Sequence, residues 1–357
     1  MIILLELGMT NAIELLCIGN AMVDVFADVD SDWLDRHGIT EQVQHISRDE
    51  AQRILDELRG GAVFSSGGAA ANVAKIASML NTGTAFIGCV GSADNGDLAT
   101  LFEKDLRSAG VIPFLTAGKG STGLCFIFTA GSETRIAASP GAATELTEAD
   151  ISEELISGAE AVVLDGYMLD RRPFVQQALR LADHRGIPIA LDVASVFQIQ
   201  NKTEDILQYS RNYPMIIFMN ADESIVFYDT IRKDAVRNEA TGEREKEMLI
   251  LREICPVLKC ITEGEIFPVI VIKLGGRGAV VLAGGNIYHE EAFTIIPRNT
   301  VGAGDAFCAA FLTAWIRGKP IRECAAMGNK VARKILEVPG TRINAGKLKT
   351  FAKMLSK

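Results

Sequence analysis

The 357-residue sequence predicts an α/β fold: a three-layer α/β/α arrangement with a mainly parallel central sheet and a small β-sheet lid. Three observations lead there. Short apolar runs rich in β-branched residues recur along the chain, and each closes on a polar residue or glycine, as strands buried on both faces do. Several of these runs are spaced about one βαβ unit apart. Two other stretches alternate apolar and polar residues, the pattern of half-exposed antiparallel strands outside the main core.

Taken in order, the first run, Glu14 to Ile18, ends at Gly19-Asn20, and the alternating MVDVFADVD of Met22 to Asp30 follows it. Ser65 to Asn72 (SSGGAAAN) then opens a helix whose Val73, Ile76, Ala77 and Leu80 share one buried face. The second alternating stretch is Thr122 to Ile136, with Ala130-Gly131-Ser132 as a hairpin turn. Lid segments are therefore expected near 21–47 and 111–140. Further runs end at Asp165, Asp192, Asn220 and Leu274-Gly275-Gly276. Asp165 to Asp192 is 27 residues and Asp192 to Asn220 is 28, so strand, crossover helix, strand is the simplest account. Residues 231–253 mix both charge signs densely and read as solvated helical surface, broken at Thr241-Gly242. A last strong helix spans 305–317, with Phe307, Ala310, Phe311 and Ala314 on one face and Gly318 and Pro320 as stop signals. No repeat or linker divides the chain, so residues 1–357 read as a single domain.

Composition excludes several functions. With 36 basic against 45 acidic residues, the net charge of -9 provides no global positive field for a nucleic-acid backbone. Seven Cys include no C-x-x-C pair, and the four His (His37, His45, His184, His289) show no zinc spacing, so reduced thiols, a cytoplasmic location and no structural zinc are expected. The opening MIILLELG is too short to span a bilayer and lacks the flanks of a signal peptide; Met9 is an alternative start. No run reaches 18 apolar residues, so no membrane partner is expected.

Ligands of open parallel sheets bind beyond the carboxyl ends of the strands, which singles out Asn20, Asp24, Asp165, Asp192, Asn220 and Gly275. Each alone is equally an ordinary turn residue. The sharpest segment is Asn299 to Phe307, NTVGAGDAF, where Gly302 and Gly304 stand directly before a helix. Without Cβ atoms they let backbone N–H groups approach an anion, and the helix dipole favours negative charge there. Asp305 in that first turn is also a common helix-start residue. Asn72 would project toward the same cleft, although the small residues before it also suit tight helix–sheet packing. Gly118-Lys119-Gly120 is not a P-loop, Gly19-Asn20-Ala21 fails the dinucleotide fingerprint, and His289-Glu290-Glu291 lacks the second zinc-protease histidine. Gly166 follows Asp rather than a nucleophilic serine, so a hydrolase has little support.

Together, GGAAANVA near residue 70 and NTVGAGDAF near residue 300 resemble the two signatures of the ribokinase family, also called PfkB carbohydrate kinases. The resemblance runs from Gly19 to Gly340. Within the family, GNAMVDVFADVD at 19–30, FIGCVGSADNG at 86–96, STGLC at 121–125 and GAGDAF at 302–307 look most like adenosine kinases and adenosine-kinase-like sugar kinases. This implies a ribokinase-like fold and ATP-dependent transfer of a γ-phosphoryl group to a primary hydroxyl. By position, Asp305 would be the general base, with the backbone of Gly302, Ala303 and Gly304 as the anion hole. Asp24, Gly68 and Asn72 would hold ribose-type hydroxyls, with Asn20 nearby and Tyr167 available to stack on a base. Asn220 and Glu223 match the family's N-x-x-E element, which organises Mg2+ and phosphates largely through water. Gly275 and Gly278 would pass the ATP base, Thr300 would join Gly302 and Gly304 at the nucleotide, and Arg135 of the lid would reach phosphates.

Asn299 departs from the pattern, because the family usually places there an Asp associated with a monovalent cation. Weak or absent activation by K+ is therefore expected. The function implied is a kinase of nucleosides or sugars, adenosine 5′-OH first. The alternatives are a free-sugar kinase for ribose, fructose or 2-keto-3-deoxygluconate, or a ligand-binding regulator without turnover. A homodimer formed through the lid is left open.

Overall fold

Leu15–Ile18 (β1) carries four wholly buried side chains and no charge, so it is stable only as an interior strand. In the computed structural model it is covered on both faces. The structure describes residues 12–93, 97–131, 133–233, 242–263, 268–292, 295, 301–337 and 345–355. The following strands are Met22–Asp28 (β2), Val43–His45 (β3), Val63–Gly67 (β4), Thr84–Gly91 (β5), Ile112–Gly118 (β6), Gly123–Ala130 (β7) and Glu133–Ser139 (β8). The second half adds Ala161–Asp165 (β9), Ile189–Asp192 (β10), Met215–Asn220 (β11), Val269–Lys273 (β12), Ala279–Ala283 (β13) and Asn286–Glu290 (β14).

Nine of these strands form the main sheet, ordered β14-β13-β12-β11-β10-β9-β1-β5-β6, and every pairing from β12 to β6 is parallel. The chain builds outward from β1 in both directions, through β5 to β6 on one side and through β9 to β12 on the other. That divergence opens a crevice at the carboxyl ends of β1 and β9. One face of the sheet packs against helices Ala69–Met79, Ala303–Ile316 and Ile321–Leu336, the other against Arg172–His184, Val196–Asn212 and Ala221–Arg232. Helix Ala303–Ile316 is apolar all round because neighbouring helices cover it, and Phe311 meets Phe218 of β11 edge-to-face with centroids 5.3 Å apart.

The other five strands form a smaller lid sheet, β3-β8-β7-β2-β4. It confirms the predicted lid but corrects its boundaries. Ile112–Gly118, expected in the lid, pairs in parallel with β5 and forms the edge of the main sheet, where its polar and half-exposed positions suit an edge strand. Val63–Gly67, read only as the approach to a helix, pairs antiparallel with β2. The β13–β14 hairpin was also not anticipated, though Gly284-Gly285, both at positive φ, is a turn signal. Of the predicted hairpin turn, Gly131 has φ +61°; Ser132 lies outside the described residues. No described helix is long and apolar enough to cross a membrane.

Candidate active site

The glycine turn before helix Ala303–Ile316 adopts the conformation its sequence suggests. Gly302 sits at φ +80° as the residue preceding the first helical turn, a conformation costly for residues with a Cβ, and no side chain caps the helix there. The first N–H groups of the helix are thereby open to an anion. Asp305 stands in that turn, partly buried, and its carboxylate accepts a hydrogen bond of 2.9 Å from Asn72 Nδ2. Asn72 and Asp305 are 233 residues apart in sequence. Burial raises the Asp305 carboxyl to about 6 against the opposing Asn72 hydrogen bond; Asp192 adds to the rise, and Lys273 and Lys75 oppose it.

Asp24 faces the same crevice from the lid. It is 6% exposed, and its cross-strand neighbour Cys125 donates a hydrogen bond to it. Burial raises this carboxyl further, to about 7; Lys75 pulls it down, and Asp305 and Asp105 push it up. The crowding is tight: a β-carbon on Gly67 would lie 2.0 Å from Asp24 Oδ1, and one on Gly68, at φ +91°, would lie 2.3 Å from the Asn20 carbonyl. Only glycines allow β4 to pass so close to β1 and β2. Ser66, just before them, is held by Asp105, which accepts from its N–H at 2.9 Å and its hydroxyl at 2.6 Å, while Lys75 donates to its oxygens.

At the other strand ends, Asn220 and Glu223 form a reciprocal cap on helix Ala221–Arg232: Asn220 N–H donates to Glu223 at 2.6 Å and Glu223 N–H donates to Asn220 Oδ1 at 2.9 Å. Burial raises the Glu223 carboxyl to about 7, opposed by Lys273. Lys273 donates to Asp192 Oδ2 at 2.7 Å, and the Cys308 thiol donates to the same oxygen at 3.1 Å. Asp165 caps the next turn by accepting from Tyr167 N–H at 3.0 Å.

The structure thus brings Asn20, Asp24, Gly68, Asn72, Gly302, Ala303, Gly304 and Asp305 to one crevice, with Asn220 and Glu223 further along the strand ends. Tyr167 borders it and meets His45 of the lid edge-on, with ring centroids 6.5 Å apart. Gly275 and Gly278 shape the turn after β12, where a β-carbon on Gly278 would lie 2.1 Å from the Glu290 carbonyl. Arg135 is not brought to the group: its guanidinium donates to the Ile39 and Thr40 carbonyls and to Glu133 within the lid. Asn299 and Thr300 lie outside the described residues.

Four neighbours escaped the sequence reading. Lys75 and Asp105 sit in helices whose amphipathic pattern gives no sign of a site. Lys273, just before Leu274-Gly275-Gly276, reads only as the end of an apolar run. Arg171, which donates to Asn20 Oδ1 at 2.8 Å, sits two residues from a proline and reads as plain helix entry. A cavity of about 840 Å³ opens beside Ser65, Asn72, Lys75, Asp105 and Gly302. Among the described residues no group of three His, Cys, Asp or Glu side chains could cage a metal ion. Glu223, with one carboxylate oxygen bound to Asn220, suits an outer position toward Mg2+ carried by phosphates and water.

The model of the pfkB family carbohydrate kinases matches residues 13–347. Similar proteins include adenosine kinase of Dictyostelium discoideum, 23% identical over 94% of this chain and 98% of that one. Another is adenosine kinase 1 of Arabidopsis thaliana, 25% identical over 91% and 94%. Among solved structures, adenosine kinase from Sinorhizobium meliloti superposes with a TM-score of 0.80 at 24% identity, covering 96% of this chain and all of that one. A probable sugar kinase from Rhizobium etli also scores 0.80, at 22% identity, covering 97% and 100%. The ribokinase-like architecture is therefore shared, and the chain belongs to the pfkB family of carbohydrate kinases, phosphotransferases that act on an alcohol group.

Proposed function

We propose that this kinase phosphorylates a nucleoside, adenosine before others, at its 5′-hydroxyl with ATP as donor. The observation that carries the reading is Asp305, fixed by Asn72 at the uncapped start of helix Ala303–Ile316, with Asp24 facing it from the lid. Asp305 takes the proton of the primary hydroxyl, whose oxygen attacks the γ-phosphorus while ADP departs. The N–H groups at Gly302, Ala303 and Gly304 meet the charge on the moving phosphoryl group. Asp24 accepts hydrogen bonds from sugar hydroxyls and, with Asn72, sets the approach of the acceptor. Kinases of this family use ATP with Mg2+, which neutralises phosphate charge when bound; Asn220 and Glu223 are the residues that would orient it through water. K+ is assigned no part here, since Asn299 would offer an oxygen but no charge.

Two observations support a nucleoside. Two curated relatives of near-full length are named adenosine kinases, and Tyr167, edge-on to His45, offers a ring at the crevice. One observation favours a free sugar, above all a sugar acid such as 2-keto-3-deoxygluconate: the Arg171 guanidinium reaches the crevice at Asn20, and its hydrogen-bond partners among the described residues are neutral acceptors. A coupled ADP-release screen over purine nucleosides, pentoses, hexoses and sugar acids separates the two. Adenosine should give the highest kcat/KM. Turnover with a free sugar and with no purine nucleoside would overturn the nucleoside reading.

A further inference from the structure

We propose that Lys273 is a catalytic residue of the phosphoryl transfer, its ammonium group contacting the transferring phosphoryl group beside the glycine turn. The proposal rests on the kinase reading above. Lys273 ends β12, and its Nζ is 2.7 Å from Asp192 Oδ2, 3.9 Å from Cys308 Sγ and 3.4 Å from where a β-carbon on Gly304 would stand. Gly304 and Cys308 are one helical turn apart, so they present the same face of helix Ala303–Ile316 to the strand ends. The ammonium therefore lies against the first turn of that helix, where the N–H groups are uncapped. Glycine at 304 leaves the space between the helix and this cation open.

The placement is rigid. Lys273 and Asp192 expose only 15% and 12% of their side chains, and the carboxylate that holds the ammonium belongs to the end of β10, two strands from β12 across β11. An ammonium has three donors. Asp192 takes one at hydrogen-bond distance and the Cys308 sulfur is a weak second partner, leaving a donor for a phosphate oxygen. The Asp192 carboxylate, with Glu223 further off, keeps Lys273 protonated, its pKa raised against the opposing effect of burial, so the charge persists throughout turnover. In the step itself the acceptor oxygen–phosphorus bond forms, and the bond from γ-phosphorus to the bridging oxygen breaks. The acceptor proton goes to Asp305, and the electron pair leaves on ADP. Lys273 neither gains nor loses a proton; it meets negative charge on the equatorial oxygens, where a preorganised cation in a desolvated site acts most strongly.

A purely structural ion pair tying β10 to β12 would look the same in the folded protein, and three variants separate the roles. Lys273→Met, Asp192→Asn and the double variant are compared with wild type for kcat, for Kd of a non-hydrolysable ATP analogue with Mg2+, and for melting temperature. The expected result is a kcat loss of about 10² to 10³-fold in Lys273→Met, the scale for removing one transition-state donor. The analogue Kd should rise by up to about tenfold, and acceptor Kd should hold. Asp192→Asn keeps the cation and should cost less in kcat than Lys273→Met. The double variant removes both charges, so it should recover melting temperature without recovering kcat. Recovery of kcat together with stability in the double variant would overturn the proposal, as would unchanged kcat and analogue affinity in Lys273→Met. Should the single variant fail to fold, the double variant carries the same comparison. A wild type that forms no ADP with any acceptor would count against the kinase reading instead, and the analogue Kd would then decide for or against the phosphate contact.

Discussion

Asp24 and Asp305 are both acids raised toward neutrality by burial, yet they sit on opposite kinds of scaffold. Asp305 stands in the first turn of a helix covered on all sides, beside uncapped N–H groups, and one hydrogen bond from Asn72 sets its carboxylate direction. Asp24 stands mid-strand in the lid sheet, flanked by Cys125 across the ladder and pressed by Gly67, with the Lys75 charge favouring its ionised form. A helix start concentrates dipole and N–H donors at one end of the crevice, whereas a lid strand offers a fixed acceptor at its side. On the proposed function, the difference gives chemistry to Asp305 and binding to Asp24.

The largest effect should come from Asp305→Asn, which keeps the Asn72 contact geometry but removes the base. Turnover should fall by about 10² to 10⁴-fold, the range for general-base catalysis, with acceptor Kd nearly constant by calorimetry. Near wild-type turnover would erase the distinction between the two acids. Asp24→Ala should do the converse. Loss of hydrogen bonds to a charged acceptor costs about 1.5 to 3 kcal/mol, so acceptor Kd should rise by about 10 to 150-fold while kcat at saturation changes less. An unchanged Kd would remove Asp24 from the acceptor site.

A smaller effect concerns stability. Because the folded-state pKa of Asp24 is raised to about 7 from an ordinary value near 3.8, the folded protein binds its proton more tightly than the unfolded chain does. Its stabilising contribution is complete below the ordinary value and is lost as pH rises through about 7. Asp24→Asn, neutral throughout, should therefore melt a few degrees above wild type at pH 8, and the gap should close by pH 4. A gap independent of pH would mean that the charge of Asp24 is already compensated. The smallest expected effect is in Asn72→Ala. Its hydrogen bond lowers the Asp305 pKa, so the variant should move the acidic limb of the kcat profile toward higher pH. A limb moving the other way would contradict the contact.

Much of this was legible in the residues. The parallel strands announced themselves because continuous apolar runs with polar ends have few other uses, and the glycine turn at 302–304 because glycines before an apolar helix give backbone to a ligand. The lid boundaries were less legible. Val63–Gly67 has too short a run to show period two, and Ile112–Gly118 has an edge strand's mixed polarity. The charges that tune the site were least legible of all. Lys75, Arg171 and Lys273 reach it through long side chains, and Asp105 through its contact with Ser66, from elements whose local pattern reports only helix or strand. Their partners are distant in sequence: Lys273 meets Asp192 across 81 residues and Arg171 meets Asn20 across 151. Periodicity records which face is buried, not which charge meets which.

The most direct test of the division of labour is the pH dependence of kcat, measured with saturating ATP, Mg2+ and acceptor in wild type, Asp305→Asn and Asp24→Ala. Asp305 is raised to about 6, and a base must be ionised to work, so wild-type kcat should fall as pH drops through about 6. That acidic limb should persist in Asp24→Ala and vanish in Asp305→Asn, whose low residual rate should be flat across the range. A limb that survives in Asp305→Asn and disappears in Asp24→Ala would contradict the assignment of base and binder.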